Sequence, residues 1–203
     1  MTATTPSDTA TQPPSSGSRT PTRDIALVAA FAALICASAY VGAIPVGSAG
    51  VPITLQTFAV MLAGCILGPT RGFAAVSLYL ALGAVGLPVF AEHSSGIGVF
   101  TGPSGGYLLS FPLAAALGGF LVQYVARDRR TRALVIFSCS IAASILVIHP
   151  MGIVGMMLFF DVSFAKAVTF DLPFWLGDVV KTSLVAMIAA EVHRAFPQLL
   201  QRD

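Results

Sequence analysis

Two ionisable residues interrupt an otherwise apolar stretch, Pro173-Phe174-Trp175-Leu176-Gly177-Asp178-Val179-Val180-Lys181. Asp178 and Lys181 are three apart, so on a helix they share a face and reach each other. An acceptor-only carboxylate beside a donor-only ammonium suits a ligand that carries both donors and acceptors. Counted from Pro173 at ~1.5 Å per residue, Lys181 stands about 12 Å along the helix, within the outer half of a hydrocarbon layer. A charge near mid-membrane costs on the order of 2.5–3.5 kcal/mol on insertion scales, and such groups turn to a cavity or a partner. Two roles fit the pair: a self-neutralising lock between helices, or a polar ligand site open to the outside.

Other chemistry is thinner. Gly102-Pro103-Ser104-Gly105 has the G-x-S-G pattern of an intramembrane serine protease, with His149 as the available base. A nucleophile needs its base within hydrogen-bond reach, and a protease site would leave Asp178 and Lys181 without a role. His149-Pro150 reads equally as a helix kink with a satisfied imidazole. His93 reads as a loop residue and His193 as an interfacial cation beside Arg194. Three scattered histidines give no metal-ligand spacing, and no G-x-x-x-x-G-K-[ST] nucleotide loop occurs. The expectation is therefore no catalytic residue, no metal, no cofactor, and a motor for any active transport on another chain.

The elements that position these residues must be membrane spans. Of the 203 residues, 56% are hydrophobic and 10% charged, against roughly 25% charged in a soluble domain. A net charge of +2, with its basic residues in short loops, leaves no nucleic-acid footprint. Cys36, Cys65 and Cys139 lie in apolar runs and read as free buried thiols. Residues 1–22, rich in Ser, Thr and Pro, read as a disordered cytoplasmic tail, and residues 23–203 as one membrane domain. Arg19, Arg23 and Ala37-Ser38-Ala39 also fit a signal peptide, yet apolar sequence runs on to Ile44, long enough for a span.

Six apolar segments predict an all-α membrane protein with six transmembrane helices, near Asp24–Gly42, Thr54–Leu67, Gly72–Gly86, Tyr107–Ala126, Ala133–Phe159 and Pro173–Ala195. The second and third are short for a ~30 Å layer. With both termini cytoplasmic, the inner side receives Arg19, Arg23, Arg71, Arg127, Arg129, Arg130, Arg132, Arg194 and Arg202. The outer loops receive Lys166 together with Glu92, Asp161 and Asp171, which satisfies the positive-inside rule. Loops at Pro45–Thr57 and Gly86–Tyr107 mix glycines with apolar and aromatic residues, as a packed lid or as ordinary connectors. In the first span Ala29, Ala33 and Ala37 recur every four residues, a small-residue line that packs either inside the bundle or against another membrane subunit. Gly64, Gly68 and Gly72 form a similar series suited to packing within the fold.

Taken together, Val51-Pro52-Ile53-Thr54-Leu55-Gln56-Thr57, Leu67-Gly68-Pro69-Thr70-Arg71-Gly72, Leu78-Tyr79-Leu80, Gly83-Ala84-Val85-Gly86-Leu87-Pro88-Val89-Phe90-Ala91, Gly102-Pro103-Ser104-Gly105-Gly106-Tyr107 and Gly177-Asp178-Val179-Val180-Lys181 resemble the BioY family. Its members are the biotin-binding S components of energy-coupling-factor transporters. The resemblance runs from about Arg23 to Arg194, is poor in the fifth span and the loop after it, and does not include the tail. It implies a six-helix fold in the cytoplasmic (inner) membrane, with biotin near the outer face and Asp178 and Lys181 as polar anchors. Thr54, Gln56, Phe90 and Tyr107 are implied at the lid and rim. The implied partners are a transmembrane coupling subunit and two cytosolic ATPases. Some members place an arginine in the outer loop where this chain has Glu92-His93-Ser94-Ser95-Gly96. An S component for another small vitamin is the nearest alternative.

Overall fold

The apolar runs fold into helices because no water is present to satisfy backbone polar groups in a bilayer. The structure, a computed structural model, describes residues 21–41, 43–45, 50–129 and 132–200. Helix α1 (Pro21–Tyr40) leads through a two-residue antiparallel pair, β1 (Ile44–Pro45) and β2 (Pro52–Ile53), into α2 (Gln56–Leu67). Next come α3 (Pro69–Ala84) and α4 (Gly105–Phe120), the latter extended by a π-helical turn over Leu121–Val125. Helices α5 (Ala133–Ala143) and α6 (His149–Phe160) are joined by a π-helical turn over Ser144–Ile148, and α7 runs from Phe164 to Ala195. Four stretches are long and apolar enough to cross a bilayer: Pro21–Tyr40, Gly105–Val125, Ala133–Phe160 and Phe164–Ala195. The second and third helices, 12 and 16 residues, are shorter, as expected. Of the expected tail, residues 1–22, positions 1–20 lie outside the described residues, as do the loop residues 46–49, Arg130 and Arg202, while Pro21 and Thr22 are helical and open α1.

Small residues set the helix spacing. A Cβ on Gly64 would lie 2.2 Å from the Ala115 carbonyl oxygen, and one on Gly72 would lie 2.7 Å from the Gly64 Cα. Helices α2, α3 and α4 therefore touch backbone to backbone, and the glycine series is used inside the fold. The alanine line differs. Ala29, Ala33 and Ala37 are exposed, while Ala32, Ile35, Ser38 and Ala39 turn inward, so the internal-packing role does not apply to it.

One end of the bundle is tied by Arg71, which donates to the Asp24 carboxylate at 3.1 Å and to the Leu199 carbonyl. The starts of α1 and α3 and the segment after α7 thus meet. Three expectations change here. Helix α7 begins at Phe164, capped by Ser163, so Pro173 lies inside it and Lys181 stands about 26 Å from its start rather than 12 Å. Asp171, expected on the outer side, is fully buried within α7. His193, expected as an interfacial cation beside Arg194, is turned inward instead: it is 1% exposed, and its Nε2 donates to the Cys65 carbonyl at 2.8 Å. The irregularity expected at His149-Pro150 takes the form of the π turn, in which the His149 amide bonds to Ser144. Its wider spacing accommodates the donor that proline lacks.

Candidate ligand-binding site

A cavity of about 260 Å³ lies between the helices under the loop that joins α3 to α4. The roof is packed. Phe90 is buried, with its ring edge-on to Tyr79 and to Phe100, both at 5.5 Å. Gly83 makes room for it, since a Cβ there would lie 2.1 Å from the ring. For the Gly86–Tyr107 loop the lid expectation is therefore the one realised. Glu92 stands exposed at the rim with φ of 56°, and His93 follows at 60°, a left-handed pair that non-glycine residues rarely adopt. The His93 ring meets Tyr40 edge-on at 4.6 Å, and the Tyr40 hydroxyl donates to the Pro88 carbonyl.

All six residues expected at a site line this one cavity: Thr54, Gln56, Phe90, Tyr107, Asp178 and Lys181. The start of α2 supplies the first polar group. Gln56 Nε2 donates to the Tyr79 hydroxyl at 2.7 Å, and Thr54 Oγ1 donates to Gln56 Oε1 at 3.1 Å. Helix α4 supplies Tyr107, whose ring fits against Gly152 of α6, where a Cβ would lie 2.2 Å away. Helix α7 supplies the charges. Lys181 Nζ lies 2.7 Å from Asp178 Oδ1. The same ammonium donates to Thr57 Oγ1 at 2.5 Å and to the Thr54 carbonyl at 3.5 Å. Asp178 Oδ2 accepts from Ser144 Oγ at 3.1 Å.

The sequence reading left Asp171, Ser144 and Thr57 unassigned, and gave His149 no part in the ligand site. His149 lines the cavity between two carboxylates. Its Nδ1 lies 2.9 and 3.0 Å from the oxygens of Asp171, and its Nε2 lies 3.4 Å from Asp178 Oδ2. Both ring nitrogens are turned to carboxylates, not to Ser104. Asp171 also accepts from the Tyr107 hydroxyl at 2.6 Å and from Trp175 Nε1 at 2.7 Å. One signal was available: Asp171 and Asp178 are seven apart, two helical turns, and so share a face.

What the arrangement can do is bind a small polar molecule. It offers an apolar wall in Phe90, Val99, Leu108, Phe111, Ile148 and Phe174. Against that wall stand a carboxylate, an ammonium, an amide and a phenol at fixed positions, the usual composition of a ligand pocket.

The sequence matches the BioY family over residues 8–198. It is 38% identical over 190 residues to "Biotin transporter BioY" of Rhodobacter capsulatus, covering 88% of this chain and 97% of that one. It is also 38% identical over 175 residues to "Probable biotin transporter BioY" of Pyrococcus horikoshii, covering 84% and 96%. The fold is similar to a crystal structure of the S-component for biotin from an ECF-type ABC transporter, with a TM-score of 0.81 at 26% identity, covering 87% of this chain and 95% of that one.

Proposed function

The chain belongs to the BioY family, and from that premise we propose that it is the biotin-binding S component of an energy-coupling-factor transporter, a membrane uptake protein and not an enzyme. The observation that carries the site is the Asp178–Lys181 pair, held at 2.7 Å in a lidded cavity. A urea presents an N–H and a carbonyl oxygen on adjacent bonds. Asp178 accepts from biotin's ureido N–H while Lys181 donates to the ureido carbonyl, so a ligand bonds to both members without separating them. Gln56 and Thr54 border the ring, Phe90 and Tyr107 cover it, and the valerate tail leads toward the rim at Glu92. Biotin is the transported ligand, and no cofactor takes part.

Six helices cross the cytoplasmic membrane in this reading. The end bearing Arg23, Arg71, Arg127, Arg129, Arg132 and Arg194, with both termini, faces the cytoplasm, as positive-inside bias requires. The exposed line Ala29, Ala33 and Ala37 docks the transmembrane coupling subunit, because small residues let helix backbones approach in lipid. Two cytosolic ATPase subunits supply the energy through that subunit.

Binding of labelled biotin to the purified protein, with thiamine and riboflavin as competitors, tests the ligand. Tight biotin binding, indifferent to both competitors and retained in Ser104→Ala, is the expected result. Another vitamin bound in its place would overturn biotin as ligand and leave the transport class standing.

A further inference from the structure

Asp178 is held from three directions. Lys181 takes Oδ1, while Ser144 and His149 take Oδ2, at 3.1 and 3.4 Å. Ser144 and His149 flank the π turn, so the helix irregularity places both of them against the same carboxylate oxygen. His149 is itself fixed from behind. Asp171 is fully buried and receives three donors, the Tyr107 hydroxyl, Trp175 Nε1 and the His149 ring. A carboxylate serving three donors is the acceptor throughout, so Nδ1 carries a proton; Asp178, which already holds Ser144 and Lys181, accepts as well, so Nε2 carries the second proton and the ring stands as an imidazolium between two carboxylates. Trp175 stacks on the imidazole, with centroids 4.5 Å apart and planes 23° from parallel. Asp171 does not line the cavity, but Tyr107 and His149, two of its three partners, do.

The geometry points to His149 as a positioning residue of the ligand site: Asp171 aims it, and it fixes the carboxylate of Asp178 in the orientation that meets the ligand. This rests on Asp178 as ligand anchor, and it adds an oriented chain, Asp171 to His149 to Asp178 to Lys181, in which only Asp178 and Lys181 need touch biotin. Such a chain is worth more intact than its pairs taken singly, because each member restricts the next in a low-dielectric interior.

The test compares three variants for biotin affinity, thermal stability in detergent and Trp175 fluorescence, which is unambiguous because the chain has one tryptophan. His149→Leu fills the space and removes both ring nitrogens. It should weaken biotin binding about tenfold or more, the scale of a lost hydrogen bond to a charged group, and abolish the change in Trp175 emission on adding biotin. His149→Gln returns a donor close to the Nε2 position and should recover most of the affinity. Asp171→Asn should weaken binding severalfold in the wild-type background and have no further effect beside His149→Leu.

Wild-type affinity in a folded His149→Leu protein would overturn the inference, as would equal losses from Asp171→Asn in both backgrounds. Should His149→Leu not fold, His149→Gln and Asp171→Asn carry the test, and undiminished binding in Asp171→Asn overturns it. A wild-type chain that fails to bind biotin removes the functional reading, and the inference with it. Loss in the variants alone leaves that reading intact.

Discussion

The two halves of α7 bury polar groups by different means. From its start to Lys181, just past its middle, Asp171, Asp178 and Lys181 are satisfied by other side chains from α2, α4 and the π turn. Toward its end, Val185, Ala186, Ala189 and Ala190 pack dry, and His193 answers to a backbone carbonyl of α2. A side-chain partner can rotate and exchange its hydrogen bond for one to a ligand. A carbonyl inside a helix cannot. The first half is therefore suited to binding, and the second to holding the bundle together.

The largest effect should follow Asp178→Asn. It removes the only carboxylate on Lys181 among the described residues and leaves a buried ammonium, a loss of about 3–5 kcal/mol in the state that depends on the pair. Biotin binding should disappear while the protein stays folded, because the emptied site can admit water. Phe90→Ala should come next. Truncating a buried phenylalanine costs about 3–5 kcal/mol, shared between stability and affinity, so melting temperature and biotin affinity should both drop, each by less than the whole.

His193→Leu probes the other half. It leaves the Cys65 carbonyl without that donor, at a cost of about 1–3 kcal/mol, so the melting temperature should fall with biotin affinity unchanged. Equal damage to both quantities would erase the division between the halves. Ala33→Trp tests a surface that belongs to neither half: binding should be spared, while uptake and co-purification with the ATPase-bearing complex should decline. Misfolding with lost binding would remove the docking face. The smallest effect is expected at the rim. Glu92→Arg offers the valerate carboxylate an exposed cation worth about 0–1 kcal/mol, so affinity should rise up to about fivefold for biotin and not at all for its methyl ester.

The helices were legible in the sequence because long apolar runs leave few alternatives, and Asp178 with Lys181 stood out as charges inside one. The start of α7 was misplaced because proline at 173 reads as a beginning, whereas Ser163 caps a helix nine residues longer. Asp171 was taken for a loop carboxylate for the same reason. His149 and His193 were harder: a lone histidine in an apolar run does not reveal what faces it, and here one meets two carboxylates and the other a carbonyl. Tyr79, which holds Gln56, comes from a different helix: its block Leu78-Tyr79-Leu80 was legible as part of the resemblance, but not what its hydroxyl faces. The alanine line was legible as a helix face, but which side it turned to depended on packing that only the assembled bundle decides.

The most direct measurement takes Lys181→Met, a neutral side chain of similar length, and records biotin binding and thermal stability without ligand on the same preparation. If Asp178 and Lys181 anchor the ligand, binding is lost and the unliganded protein stays folded. A protein that melts far earlier yet binds biotin normally while folded would contradict the account, because the pair would then be a lock between helices and the ligand would be held elsewhere.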